Sequence, residues 1–160
     1  MPIVQAKDNS FYLSHGFDKT SNSMGWAFAD YQNKFPDLST NTIMYGHTYR
    51  MTTIFSKLKN VLQKSWLENT DNHTIIFDTE KERYKFKVFS IYTTKATNEY
   101  LQIEFNSRDK YQAYLDNSLK KSIKNFNITP TTNDKIMTVS TCYIDEHQRL
   151  VVQAVLTDSL

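Results

Sequence analysis

A single cysteine, Cys142, in a chain of 160 residues leaves no partner for an internal disulfide. That fits a cytosolic protein, or an exported one whose thiol is kept for chemistry. Glycine and proline are scarce, with three of each, which excludes collagen-like and Pro/Gly-rich disordered chains. No apolar run approaches the ~20 residues that a membrane-spanning helix needs, and no signal peptide is visible. There is no Gly-rich phosphate loop and no Cys or His spacing suited to zinc, so neither a cofactor nor a metal is expected. Acidic residues are dispersed and give a paired-carboxylate hydrolase no support. The net charge is only +2, and with the lysines scattered this argues against nucleic acid as a partner. The basic stretch Lys120-Lys121-Ser122-Ile123-Lys124 reads as a solvated helix end.

Aromatic residues are plentiful, with ten Tyr and ten Phe, and 160 residues suffice for one domain with a real core. The chain opens abruptly on Pro2-Ile3-Val4-Gln5, a strand-like run. Such a start is expected of a trimmed polypeptide and leaves open whether an anchor precedes it. A turn at residues 7–10 leads into the aromatic segment Phe11-Tyr12-Leu13. Strands are expected at 24–29, at 42–45 (stopping at Gly46-His47), at 74–77, at 83–94 as the longest, and at 100–105. Helical spacing covers 51–69, with Ile54, Leu58, Val61 and Leu62 as the apolar stripe, and 109–123, with Ser107 as N-cap and Tyr111, Leu115 and Leu119 on one side. Residues 125–134 form a polar loop. Many short strands with two interspersed helices predict a closed or nearly closed barrel.

The chemistry centres on residues 135–142. Read with period two, Ile136, Thr138, Ser140 and Cys142 share one face, and Met137, Val139 and Thr141 the other. A second strand follows over 149–156, with Leu150, Val152, Ala154 and Leu156 opposite Arg149, Val151 and Gln153. The loop between them is short, so the two strands should pair and bring Cys142 and Arg149 to one end of a sheet. A lone cysteine is more often a small buried hydrophobe than a nucleophile. A strand-terminal cysteine followed by a polar loop is an unusual place for core filling. Of four histidines, His15 and His73 lie in or beside turns and are expected exposed and unpaired, and His147 is expected to face solvent. His47 follows Gly46 at the end of an apolar strand, the same kind of place as Cys142. Nothing in one sequence shows that those two strand ends coincide, so the residues alone leave the Cys142–His47 pair as one arrangement among several. The order His before Cys excludes a papain-like layout.

Thr138-Val139-Ser140-Thr141-Cys142, followed within one short loop by Arg149-Leu150-Val151-Val152, resembles the catalytic signature of sortases. In that family a Thr-Leu-x-Thr-Cys strand precedes a strand that begins with Arg. Asn41-Thr42-Ile43-Met44-Tyr45-Gly46-His47 resembles the family's histidine segment, and residues 2–15 resemble the opening of class B sortases. Ile54-Phe55-Ser56-Lys57-Leu58, Val88-Phe89-Ser90-Ile91-Tyr92 and the helix before the cysteine strand add to the likeness. The resemblance implies a mostly β fold, a closed eight-stranded sortase-type barrel with flanking helices, one of them between the sixth and seventh strands. It implies a cysteine transpeptidase that cleaves a C-terminal Asn-Pro-x-Thr type sorting signal after Thr and passes the protein to a cell-wall peptide amine. Carried over by position, Cys142 is the nucleophile, His47 the acid/base partner and Arg149 the oxyanion or substrate-orienting cation. Asn9 and Leu13 then line the signal groove, Ser140 and Thr141 lie beside the scissile carbonyl, and Tyr100 and Leu101 form a further wall.

Departures from the family pattern exist. Val139 replaces the usual Leu, and Tyr143 stands where some relatives have an acidic residue, so no fourth catalytic member is assigned. The loop over 143–148 is short. The partners implied are surface proteins bearing a sorting signal, a peptidoglycan amine, and the membrane through an N-terminal anchor on the outer face of a bacterial plasma membrane. Two other readings stay open. One is a pilin-polymerising sortase that uses a pilin lysine; the other is a non-catalytic β-barrel binding module in which Cys142 is merely buried.

Overall fold

The computed structural model describes residues 1–47, 55–142 and 147–159, with Ser56 and Cys142 described by their backbone alone. Among the described residues six strands form one sheet: β1 (Phe28–Ala29), β2 (Asn41–His47), β3 (Thr74–Asp78), β4 (Arg83–Lys95), β5 (Ile136–Cys142) and β6 (Gln148–Ser159). Their order is β1-β2-β5-β6-β4-β3. Every neighbouring pair is antiparallel except β2 and β5, which run parallel. The helices are α1 (Lys64–Glu68) and α2 (Arg108–Lys121), with 3-10 turns at Phe11–Leu13, Ser56–Leu62 and Thr70–His73. No described helix is long and apolar enough to cross a membrane.

The mostly β expectation stands, but the described strands number six rather than eight. Among the described residues no ladder joins the edge strands β1 and β3. Residues 2–5 contribute one bridge, Val4 to Phe28, instead of a strand, and of 24–29 only Phe28–Ala29 pairs. Residues 100–105 form no strand. Their carbonyls are taken singly: Ile103 O accepts from Asn41 N–H, Gln102 O from Asn41 Nδ2 and Tyr100 O from the Tyr114 hydroxyl. Backbone groups satisfied one at a time by side chains and a strand end need no ladder. The long helix therefore lies between the fourth and fifth described strands.

Local signals explain the elements that formed as expected. Ser107 caps α2, its side chain accepting from Lys110 N–H, and the last turn carries Lys120 and Lys121 where the helix dipole favours cations. The helix buries Tyr111, Tyr114 and Leu115 against Phe89, Ile136, Val151 and Val155 on one side of the sheet. The opposite side packs Met44, Phe86, Met137, Leu150 and Val152. Burying a side chain such as Leu115 contributes about 2 kcal/mol. The expected helix over 51–69 is broken instead. Ile54 lies outside the described residues, and Gln63 takes an extended conformation that separates the 3-10 turn Ser56–Leu62 from α1.

Two histidines depart from expectation. His73 is only 8% exposed, set between Trp66 and Phe126 at ring distances of 5.3 and 4.9 Å. Burial holds its imidazole below the ordinary histidine value, because the charged form is the one that loses hydration. His15 stacks on Phe11 at 4.0 Å, and its Nδ1 donates to Phe11 O at 2.8 Å. Each turn folds its imidazole back onto a neighbouring aromatic ring, an event that turn propensity alone does not reveal. His147 is exposed, as expected.

Candidate active site

The parallel pairing of β2 with β5 sets His47 opposite Cys142, and the antiparallel pairing of β5 with β6 sets Cys142 opposite Arg149. Residues 47, 142 and 149 thus occupy one row across three adjacent strands, with neighbouring strands about 5 Å apart. Thr94 of β4 continues the row. β2 runs two residues further than its apolar pattern suggests, because Gly46 pairs with Thr141 and carries the ladder to His47. A Cβ at Gly46 would come within 1.7 Å of the Phe55 ring, so only glycine lets that aromatic ring lie against the strand end.

His47 is held by more than its strand. The Leu13 carbonyl, in the 3-10 turn Phe11–Leu13, accepts a hydrogen bond from the imidazole. Burial is the main influence on its pKa and lowers it, the Leu13 carbonyl opposes that shift, and the nearby Arg149 charge lowers it further. The result is an imidazole kept below the ordinary histidine range. The Arg149 guanidinium donates to Gln148 O at 3.1 Å.

A cleft of about 330 Å3 opens over this end of the sheet, at the small end of the range for ligand sites. Its walls include His47 and Arg149 and all six residues expected to bind substrate: Asn9, Leu13, Tyr100, Leu101, Ser140 and Thr141. Leu13 is 44% exposed and offers an apolar surface, whereas Ser140 is 3% exposed with its hydroxyl 2.9 Å from that of Tyr100. Behind Tyr100 lies a buried polar network. Tyr114 donates to Tyr100 O, Gln153 Nε2 donates to Tyr114 Oη at 2.8 Å, and Thr138 Oγ1 donates to Asn41 Oδ1 at 2.8 Å. These bonds tie the wall over residues 100–102 to α2 and to the sheet. Tyr143 and the rest of the 143–146 segment lie outside the described residues.

Phe28, Tyr45, Thr97 and Asn98 also line the cleft and were missed by sequence reasoning. Tyr45 carried a usable signal: it lies two residues before His47 on β2, so the two share a face. Thr97 and Asn98 carried none, since a polar loop after a long strand is unremarkable.

A sortase-domain family model matches residues 2–157 of this chain. The chain is 36% identical to sortase B of Staphylococcus aureus over 157 residues, covering 96% of this chain and 63% of that protein. It is 31% identical to sortase B of Listeria monocytogenes over 158 residues, covering 97% of this chain and again 63% of the relative. The chain thus spans 63% of the length of these curated relatives. Among solved structures, a Staphylococcus aureus sortase B–substrate complex superposes with a TM-score of 0.90 at 34% identity, over 99% of this chain and 74% of that one.

Proposed function

The chain belongs to the sortase family, on its class B branch, and we propose that it is a cysteine transpeptidase acting on a C-terminal sorting signal of the Asn-Pro-x-Thr type. The observation that carries this reading is the single row of residues 47, 142 and 149 across three adjacent strands, with His47 and Arg149 lining the cleft at that end of the sheet.

In this proposal the Cys142 sulfur attacks the Thr carbonyl carbon, forming a C–S bond and a tetrahedral oxyanion. A free thiol has a pKa near ~8.5, so His47 must take its proton before or during attack. The His47 imidazole, held low by burial and by Arg149, rests neutral at pH 7 and is ready to accept it. The Arg149 guanidinium, permanently charged and rigidly forked, balances the oxyanion. Collapse breaks the C–N bond, protonated His47 gives its proton to the leaving amine, and a thioacyl enzyme remains. An incoming amine then attacks the thioester, releasing the thiol and forming a new amide. The acceptor in this reading is a cell-wall peptide amine. In this reading the enzyme acts at the outer face of a bacterial plasma membrane, where an N-terminal anchor would hold it.

The test is a panel of sorting-signal peptides incubated with wall-peptide amines and with a pilin-type lysine peptide, and read by mass spectrometry. Signal cleavage with joining to a wall peptide is the expected product. Joining to lysine alone would favour pilin polymerisation, and no cleavage of any peptide would reject the transpeptidase. Within the same assay, Arg149→Lys should lower turnover on the order of hundreds-fold, because one oxyanion donor is worth roughly 3 kcal/mol and an ammonium cannot reproduce the planar fork. A loss below about fivefold would remove Arg149 from the oxyanion role.

A further inference from the structure

Asp30 follows β1, is 5% exposed, and has no part in the chemistry above. Its carboxylate accepts three hydrogen bonds. Oδ2 accepts from the Tyr45 hydroxyl at 2.7 Å and from Asn9 Nδ2 at 2.8 Å, and Oδ1 accepts from Gln32 N–H at 2.9 Å. Its backbone is pinned as well: Asp30 N–H donates to Ile43 O at 2.9 Å, and Asp30 O accepts from Gln5 Nε2 at 2.8 Å. Tyr45 and Asn9 both line the cleft, so one buried carboxylate governs two of its polar walls.

The consequence follows from counting protons. A phenol has one, and Tyr45 gives it to Asp30, so toward the cleft its oxygen can only accept. The Asn9 carboxamide is also oriented. Its Oδ1 accepts from Tyr31 N–H at 2.9 Å while its Nδ2 faces Asp30. Turning the amide over would set N–H against N–H and oxygen against carboxylate. Beyond these two bonds Asn9 keeps its second Nδ2 hydrogen as a donor, alongside one remaining Oδ1 lone pair.

We propose that Asp30 is a positioning residue that sets substrate specificity, because it makes this part of the cleft present an acceptor on Tyr45 beside a donor on Asn9. That pattern suits a carboxamide, whose NH2 meets Tyr45 and whose carbonyl meets Asn9. It opposes a carboxylate, which has no proton for Tyr45 and would approach the Asp30 charge behind it. The proposal rests on the transpeptidase reading, since it presumes that a peptide occupies the cleft.

The experiment uses sorting-signal peptides matched in all but one group, with Asn against Asp at the first position and Gln against Glu at the x position. Each is measured for kcat and KM with the wild type, Asp30→Asn and Tyr45→Phe. At one of the two positions the wild type should favour the carboxamide by ~100-fold in kcat/KM, as expected where buried polar groups would otherwise go unpaired. Asp30→Asn frees the Tyr45 proton to turn into the cleft and removes the charge. The preference should then shrink by about tenfold, mainly through KM. Tyr45→Phe keeps the ring and Asp30, and should raise KM for the carboxamide peptide but not for its carboxylate twin, narrowing the ratio between them. It decides the matter if Asp30→Asn does not fold. A merely structural role would lower both members of a pair equally, and that result, or an unchanged ratio in a folded Asp30→Asn enzyme, overturns the proposal. A wild type that turns over no peptide removes the transpeptidase reading and this proposal with it.

Discussion

Cys142→Ala is expected to end both thioacyl capture and signal cleavage, with turnover falling by roughly 10^4-fold or more, as for other covalent nucleophiles. The variant should fold normally. Alanine keeps the strand geometry, and residue 142 is bound into the sheet through its backbone pairing with β2 and β6. Mass spectrometry of enzyme mixed with a sorting-signal peptide would show an adduct on the wild type and none on the variant. Cleavage retained in Cys142→Ala would reject the assignment outright. The reading as a non-catalytic module is tested by the same pair, since it expects no adduct on either protein and slow alkylation of a buried thiol.

His47→Ala is expected to lower kcat/KM by about 10^3-fold, within the range that a positioned acid/base supplies. It should also slow alkylation of Cys142 at neutral pH, since the imidazole that would take the thiol proton is gone. The pH dependence carries a sign that can be checked. Burial and the Arg149 charge disfavour imidazolium, so the neutral base persists below the ordinary histidine value near ~6.5. The acid limb of kcat/KM should therefore lie below that value. Arg149→Gln removes a neighbouring positive charge, so the limb should move upward even as turnover falls. A limb above ~6.5 in the wild type, or a downward move in Arg149→Gln, would contradict the electrostatic account of His47.

Much of this fold is written in short-range pattern. Alternation along residues 136–142 and 150–156, with a brief loop between, suffices to pair β5 with β6 and so to set Cys142 opposite Arg149. Ser107 followed by spaced aromatic residues suffices for α2. The two histidines buried or stacked against expectation show the limit of such reasoning, because Trp66, Phe126 and Phe11 reach them only once the turns have folded. Residues 100–105 alternate well enough to pass for a strand, yet Asn41 and Tyr114 claim their carbonyls first.

The residue types needed for sortase chemistry, their order, and the partnership of Cys142 with Arg149 are all legible along the chain, because each depends on side-chain identity or on pairing across one short loop. That His47 joins their row is not. It follows from a parallel ladder between β2 and β5, elements separated in the chain by both α-helices and by strands β3 and β4. Period-two alternation tells a strand which face to bury but not which strand to lie beside. Asp30 was illegible for the same reason: a carboxylate after a two-residue strand acquires meaning only when Asn9, from one side, and Tyr45, from the other, deliver their protons to it.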